Sequence, residues 1–212
     1  MFVKKILLFV LGILVVCSPA ELMALDEVDM YLGVYALVSI PKESGHDIRI
    51  DGTRGLNSSL GNGLGGGLKI GVFPDFTRRM LGIELEYSGN NGDIRFQSPG
   101  NMSRSKADLI VLHSMVNLVL RYPGEKVRPY VGIGGGSSSG ILVNAKIQDR
   151  NDKSFEGAIT MGYQFLAGLH VDVSEKIFFF GEYKFVHADY HWKQLSVDFR
   201  SQYVIGGIGI QF

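Results

Sequence analysis

The chain has 212 residues, with 21 lysines and arginines against 21 aspartates and glutamates, one cysteine, six prolines and 28 glycines. Its neutral charge argues against a nucleic-acid-binding protein, which carries a basic surplus to neutralise phosphates. With 46% hydrophobic residues the chain has enough apolar surface to fold, which excludes a disordered protein. Glycine makes up about 13% of the residues, against a usual figure of about 7%. The fold must explain this excess, and the length suits one domain.

The first 24 residues have the layout of a secretory signal peptide. Two lysines precede an apolar run that ends at Cys17, and small residues follow. The run is too short to cross a bilayer comfortably as a helix. Cleavage after Ala20 or after Ala24 satisfies the small-residue requirement equally, so both sites stay open. The sequence therefore predicts export, with residues 25–212 as the mature domain.

Period-two alternation of apolar and polar residues recurs along the rest of the chain, with many aromatic and β-branched side chains. This alternation predicts β-strands. Each segment is near the about 9 to 11 residues that a tilted transmembrane strand requires. Eight strands are predicted, over residues 29–40, 64–73, 80–88, 108–122, 128–136, 158–172, 176–187 and 201–212.

The connections between these strands alternate in length. Three long ones span residues 41–63, 89–107 and 137–157, the connection 188–200 is intermediate in length, and the three between them are tight turns. Outer-membrane barrels show this pattern because tight turns face the periplasm and long loops extend outside. The sequence therefore predicts an all-β fold, an eight-stranded antiparallel up-and-down transmembrane β-barrel with four extracellular loops.

Glycine placement indicates which face of each strand points inward. On the second predicted strand, Gly65, Gly67, Lys69 and Gly71 share one face, and mostly aliphatic residues share the other. Rows of glycine facing water would weaken a strand, whereas a narrow eight-stranded lumen needs small side chains. We therefore expect the apolar faces to contact outer-membrane lipid and the polar faces to point inward.

The inward faces carry a set of polar and charged residues. The predicted lumen network consists of Lys69, Glu84, Glu86, His113, Asn117, Gln164, Glu182 and Lys184. Its two positive and three negative charges nearly cancel, which favours a structural network of ion pairs in a plugged barrel. A proton or ion pathway is the alternative. A general diffusion pore is disfavoured because eight strands enclose an interior just wide enough for side chains.

The end of the chain resembles an assembly signal. Val204, Gly206, Ile208, Ile210 and Phe212 alternate along one face. This arrangement is similar to the terminal-phenylalanine signal that the barrel-assembly machinery reads in bacterial outer-membrane proteins. We therefore expect that machinery to be a partner during biogenesis.

Three stretches resemble one protein family. They are residues 128–134 (RPYVGIG), 181–185 (GEYKF) and 206–212 (GGIGIQF). They are similar to strands of the small outer-membrane β-barrel family, which includes the opacity proteins, OmpX and the transmembrane domain of OmpA. The resemblance implies an outer-membrane location and an eight-stranded barrel. It implies no single activity, since family members include adhesins, immune-evasion factors and structural anchors.

Two motifs suggest chemistry only weakly. His113 and Ser114 are the residue types of a lipid A deacylase, but adjacent strand residues point to opposite faces. His187, Asp189 and His191 alternate and are metal-ligand types, although a solvated loop is the favoured interpretation. We therefore expect no enzymatic activity, no cofactor and no resident metal.

The predicted function is that of a non-enzymatic protein of the bacterial outer membrane. It is either a structural envelope component or a surface adhesion protein whose four extracellular loops bind a host or envelope partner. The alternatives are a lipid-modifying outer-membrane enzyme and a narrow porin-like channel. The expected surroundings are outer-membrane lipid, and nucleic acid is not an expected partner.

Overall fold

The computed structural model describes residues 28–41, 48–50, 53–54, 56–97, 104–143, 155–191 and 195–212. The predicted signal peptide, residues 1–24, and parts of the four long connections lie outside the described residues. Within the described part of the chain, no helix has the length and apolar character needed to cross a membrane.

The described residues form eleven β-strands, eight of which build a barrel. The barrel strands are β1 (Val28–Pro41), β5 (Gly63–Pro74), β6 (Leu81–Gln97), β7 (Arg104–Arg121), β8 (Val127–Val143), β9 (Phe155–Asp172), β10 (Ile177–His191) and β11 (Leu195–Gln211). Three short strands occupy the first long connection: β2 (Ile48–Ile50), β3 (Thr53–Arg54) and β4 (Leu56–Leu60).

The sheet closes on itself. Consecutive barrel strands pair antiparallel, and β1 pairs with β11. Following paired residues around the barrel from Arg121 on β7 leads back to the same strand at Val111, a stagger of ten residues. A staggered register goes with tilted strands, typically about 35 to 45° from the barrel axis. The predicted eight-stranded antiparallel up-and-down barrel is confirmed.

The two ends of the barrel differ. We call the end with the short connections 75–80, 122–126 and 173–176 the turn end, and the end with the four long connections the hairpin end. In the first short turn, Arg78 and Arg79 have positive φ angles of 55° and 57°, a region that non-glycine residues rarely adopt. The Arg79 guanidinium donates hydrogen bonds to the Asp75 carboxylate within this turn.

The strands extend further toward the hairpin end than predicted. β6 ends at Gln97 instead of residue 88, and β8 ends at Val143 instead of residue 136. β11 begins at Leu195 instead of residue 201. The predicted boundaries followed the loss of clean alternation, but backbone pairing continues where alternation stops, because ladder hydrogen bonds do not depend on side-chain polarity. Much of each predicted loop is therefore strand.

Above the ends of β1 and β5, short strands of the first long connection pair with the neighbouring barrel strands. β2 pairs with β11, and β3 pairs with β2. β4 begins two residues after β3 ends and pairs with β6. Toward the hairpin end, β2 therefore takes the place of β1 beside β11, and β4 takes the place of β5 beside β6. We call this continuation of the wall the head. It comprises β2, β3 and β4 and strand residues 91–97, 104–111, 139–143, 155–160, 188–191 and 195–200.

Side chains alternate between the interior and the outside along the barrel strands, as β1 and β10 show most clearly. The outward faces below the head are apolar. Their exposed residues include Val34, Leu68, Ile83, Val116, Val131, Phe165, Phe179 and Ile208. An apolar surface that surrounds a closed barrel is stable in lipid and costly in water. The predicted assembly-signal residues share this outward face, and their recognition by the assembly machinery stays a prediction.

Inward-facing glycines make room for aromatic rings. A Cβ atom on Gly71 would overlap the ring of Tyr31, and one on Gly209 would overlap the ring of Phe178. The same relation joins Gly67 with Tyr35, Gly82 with Phe73, Gly168 with Tyr130 and Gly207 with Phe180. Six large rings of the interior therefore lie against the wall at places where the facing strand has no side chain. This accounts for much of the glycine excess.

Candidate functional site in the lumen and head

The structure places all eight residues of the predicted lumen network in the barrel interior. Each side chain is at most 4% exposed, and Lys69, Glu84 and Asn117 are fully buried. Hydrogen bonds and ion pairs join seven of them into one cluster, whereas His113 lies nearer the hairpin end.

Two lysines bridge three glutamates in this cluster. Lys69 Nζ lies 2.7 Å from Glu182 Oε2 and 3.4 Å from Glu84 Oε2. Lys184 Nζ binds the Glu86 carboxylate and lies 3.7 Å from Glu182 Oε1. Charges that are removed from water are tolerated only when they are paired and hydrogen-bonded. The arrangement meets this requirement with each ammonium group placed between two carboxylates.

Tyrosines supply further hydrogen bonds to the carboxylates. Tyr31 donates to Glu84, Tyr35 to Glu86, and Tyr130 to Glu182. Hydrogen bonds to an ionised acceptor are stronger than neutral ones, so they offset the excess of one carboxylate over the two lysines. These tyrosines were not predicted from the sequence, although Tyr31 and Tyr35 alternate with outward-facing aliphatic residues, which is a signal for an inward position.

Two amides connect the carboxylates across the lumen. Asn117 Nδ2 lies 2.8 Å from Glu84 Oε1 and 3.2 Å from Glu86 Oε2. Gln164 Nε2 lies 2.8 Å from Glu86 Oε2 and 2.6 Å from Asn117 Oδ1. Because these side chains come from β6, β7 and β9 and are almost fully buried, they fill the middle of the barrel with a connected polar plug.

A second layer of ion pairs lies at the turn end of the lumen. The Arg121 guanidinium binds Asp29, and Arg128 binds Asp172. Arg128 Nη2 also donates to Gln211 Oε1 at 2.7 Å. This layer was not predicted from the sequence, because its members come from strand ends, where alternation gives little information. The layer closes the lumen on the turn-end side of the plug.

His113 belongs to a separate hydrogen-bonded chain above the plug. Its Nδ1 lies 2.7 Å from Ser138 Oγ and its Nε2 lies 3.1 Å from the Tyr203 hydroxyl. Ser138 also bonds to Tyr190. Ser138 is fully buried and His113 is 3% exposed, so solvent does not reach this serine–histidine pair. Ser114 points outward, on the opposite face from His113, as alternation predicts.

The interior becomes apolar inside the head. Its buried residues are Leu109, Val111, Ala158, Ala188, Tyr190, Val197 and Phe199, each at most 8% exposed. The rings of Tyr190 and Phe199 lie 5.8 Å apart in an edge-on contact. The head therefore has a small hydrophobic core of its own above the polar lumen.

The outer surface of the head has two different sides. On β7 and β9, apolar residues remain exposed close to or within the head: Ile110 is 39%, Ile159 73% and Met161 74% exposed. On β10 and β11 the outward residues become polar, beginning at His187 and Gln202. The band of apolar residues therefore ends lower on the β10–β11 side than on the β7–β9 side.

The polar side brings together a different set of residues from the one that the sequence suggested. His187 and Asp189 lie near Asp198 of β11, and their potential ligand atoms are all within 4.8 Å of one another. His191 lies further along the strand, opposite Ser196. The third member of the cluster is thus Asp198, which was not predicted from the sequence. It belongs to the next strand, and the register places it directly opposite Asp189.

Several proteins of known structure share this fold. The outer membrane protein OprG of Pseudomonas aeruginosa has a TM-score of 0.63 at 18% identity, covering 88% of this chain and 96% of that one. Neisserial surface protein A has a TM-score of 0.55 at 10% identity, with 87% and 97% covered. Ail, the attachment invasion locus protein of Yersinia pestis, in complex with the heparin analogue sucrose octasulfate, has a TM-score of 0.50 at 14% identity, with 88% and 99% covered. At these identities the likeness shows the fold alone.

Among curated proteins none matches the chain. The family described as the outer membrane protein beta-barrel domain matches residues 8–208. That match spans most of the chain and agrees with the closed antiparallel barrel and its apolar outer band. The chain belongs to the outer membrane protein beta-barrel family.

Proposed function

We propose that this chain is a non-enzymatic surface protein of the bacterial outer membrane. Its barrel is a sealed anchor, and its head binds a host or envelope partner outside the cell. The observation that carries the proposal is the head itself, an extension of the barrel wall with buried apolar residues inside, which stands above a plugged lumen.

The filled lumen favours the role of a membrane anchor and disfavours that of a channel. The ion-paired plug spans the middle of the barrel, and its central side chains are fully buried. The arginine layer at the turn end and the core of the head lie on either side of it. A narrow channel would need these three layers to open together, at the cost of unpairing buried charges.

The head supports a role in surface binding. Its hairpins are held by backbone ladders, so they present a preorganised surface, which reduces the entropy cost of binding. Ail has a similar fold, is called an attachment invasion locus protein and was crystallised with a heparin analogue. A barrel of this architecture is therefore suited to attachment.

Trimming the head tests the binding role. In the trimmed variant, short turns replace residues 42–62, 92–109, 141–157 and 189–198, which removes most of the head. Outer-membrane vesicles that carry each form are applied to cultured cells, to surfaces coated with matrix protein and to vesicles that lack the protein. We expect the intact protein to bind at least one of these surfaces and the trimmed one to lose most of that binding. Equal binding by both forms would overturn the proposal.

The alternatives predict other signals from the same purified protein. A channel gives discrete conductance steps in a planar bilayer, and a lipid-modifying enzyme changes the mass of lipid A. We expect neither signal from the intact barrel. Conductance steps that persist in the trimmed variant would favour the channel, and a change in the mass of lipid A would favour the enzyme.

A further inference from the structure

The polar side of the head carries three side chains suited to holding a metal ion. His187 Nε2 lies 2.9 Å from Asp198 Oδ1 and 3.5 Å from Asp189 Oδ1. Four-coordinate zinc has bonds of about 2.0 to 2.2 Å, which separates neighbouring ligand atoms by roughly 3.4 Å in a tetrahedron. The His187–Asp198 distance is slightly shorter than this separation, and the His187–Asp189 distance is slightly longer. Small movements of the three side chains would therefore allow all of them to bind one ion.

The backbone register places these two carboxylates side by side. Asp189 and Asp198 are direct cross-strand partners on the outward face. Like charges that lie opposite each other in an antiparallel pair destabilise it. Arg200 relieves part of this repulsion, because its Nη2 lies 2.7 Å from Asp198 Oδ2 and its Nε lies 3.1 Å from Oδ1. The cross-strand pairing therefore brings two carboxylates together beside a histidine nitrogen.

We propose that His187, Asp189 and Asp198 form a binding site for a divalent transition-metal ion of the zinc type. One imidazole nitrogen and two carboxylate oxygens are a donor set that suits zinc, since a hard ion such as magnesium takes oxygen ligands alone. The imidazole must be neutral with its proton on Nδ1, so that Nε2 offers its lone pair. Arg200 then acts as the outer partner that orients the Asp198 carboxylate.

The site leaves one coordination position for an external ligand. Three protein ligands with an open fourth position are the pattern of zinc sites that bind water or an incoming donor. The Asp189 side chain is 56% exposed, so the open position faces outward from the barrel wall. An oxygen donor from outside, such as water, a carboxylate or a phosphate, completes the shell. The bound ion also fastens β10 to β11 near the ends of both strands.

Zinc binding to the whole folded protein tests the site. The refolded barrel in detergent micelles is stripped of metal and titrated with Zn²⁺ against a chromogenic chelator. We expect one ion per chain and at least a tenfold weaker affinity in His187→Ala and in Asp198→Asn. Co²⁺ in place of Zn²⁺ reports the coordination directly, through the strong visible absorption of a four-coordinate site.

A matched control separates this site from adventitious binding. His191→Ala removes an exposed histidine from the same strand and face, outside the ligand cluster, and should bind zinc as the unmodified protein does. Heat-modifiable migration on a gel verifies that each variant is folded. Asp189→Asn changes a mostly exposed side chain and provides a second ligand variant if Asp198→Asn does not fold. The proposal is overturned if the folded protein binds no zinc, or if its zinc binding survives both His187→Ala and Asp189→Asn.

Discussion

The lumen at the level of the membrane and the interior of the head are built by the same strands but have opposite character. Along β10, the inward residues change from Glu182 and Lys184 to Val186 and Ala188. The outward residues change over the same stretch, from apolar Phe185 to polar His187. Between Glu182 and Ala188 the polar face of the strand therefore changes from the inside to the outside, without a break in the backbone pairing.

This inversion shows that the surrounding solvent, and not the strand, decides which face is polar. In lipid the outward face must be apolar, so polar groups can be placed only in the lumen, where they pair with each other. Above the membrane the outward face meets water, and burial of apolar side chains again stabilises the fold. The change at Phe185 and His187 marks the membrane boundary on this side of the barrel.

The largest expected effect comes from unpairing the lumen. Lys69→Met leaves the carboxylates of Glu84 and Glu182 without their shared ammonium group. We expect the free energy of unfolding to fall by about 3 to 5 kcal/mol, as for other buried ion pairs that lose one partner. Equilibrium urea unfolding in lipid vesicles measures this loss. The double variant Lys69→Met with Glu182→Gln should recover part of it, and a single variant as stable as the native chain would show that the plug is solvated.

A cavity made in the core of the head should lower the stability of the head and leave that of the lumen unchanged. Phe199→Ala removes a ring that is 2% exposed, at an expected cost of about 3 kcal/mol, near the lower end for such truncations. Hydrogen exchange should accelerate at backbone amides of 186–191 and 195–200 and stay unchanged around Glu182. Phe165→Ala, which truncates a lipid-facing ring, is the control. Faster exchange throughout the barrel would mean that the two regions unfold together.

Arginine substitutions along β11 locate the boundary between the regions. Ile208→Arg places a charge in the apolar band and should cost about 2 kcal/mol, the lower end of the range for an arginine within the bilayer. Gln202→Arg lies where the outward face becomes polar and should cost about 0 to 1 kcal/mol. The folded fraction in vesicles, read from heat-modifiable migration, gives both values. Equal penalties at the two positions would contradict the boundary.

The smallest effect is expected at a charge pair in water. At the turn end, hydrogen bonding to Arg79 lowers the pKa of the Asp75 carboxyl below its ordinary value. The pair therefore stabilises the fold above the unfolded-state pKa of about 3.9, and this contribution is lost as the pH falls through the lowered pKa. Asp75→Asn removes the dependence. The unfolding midpoints of the native chain and of Asp75→Asn, measured between pH 6 and pH 2, should converge at the acid end. A difference in midpoint that stays constant over this range would show that the Asp75–Arg79 pair does not cause the pH dependence.

Local sequence pattern was enough to predict the barrel but not its internal contacts. Strand number and order follow from alternation and from connection length, which are local properties. The partner of Lys69 is Glu182, 113 residues away, and their meeting depends on the stagger of ten residues around the barrel. No single segment encodes that stagger, because it is a property of the closed sheet.

The head was the main feature that the sequence analysis failed to predict. Its strands lack a consistently apolar outward face, so the alternation that marks the membrane strands ends near Ser88 and Gly136. The pairing of β2 with β11 and of β4 with β6 joins segments that are distant in sequence. The metal-ligand types around His187 were visible, but their third member, Asp198, depends on the β10–β11 register.

The pairing of β1 with β11 also constrains the order of events when the protein folds. Tyr31 lies opposite Gln211, so the seam joins the first and last strands of the barrel. The cylinder cannot close before the final strand has been synthesised and delivered. Contacts between such distant parts of a chain form slowly, which leaves the unsealed sheet with two exposed edges that can pair with other chains. Protecting those edges until the seam forms is therefore a requirement of this topology.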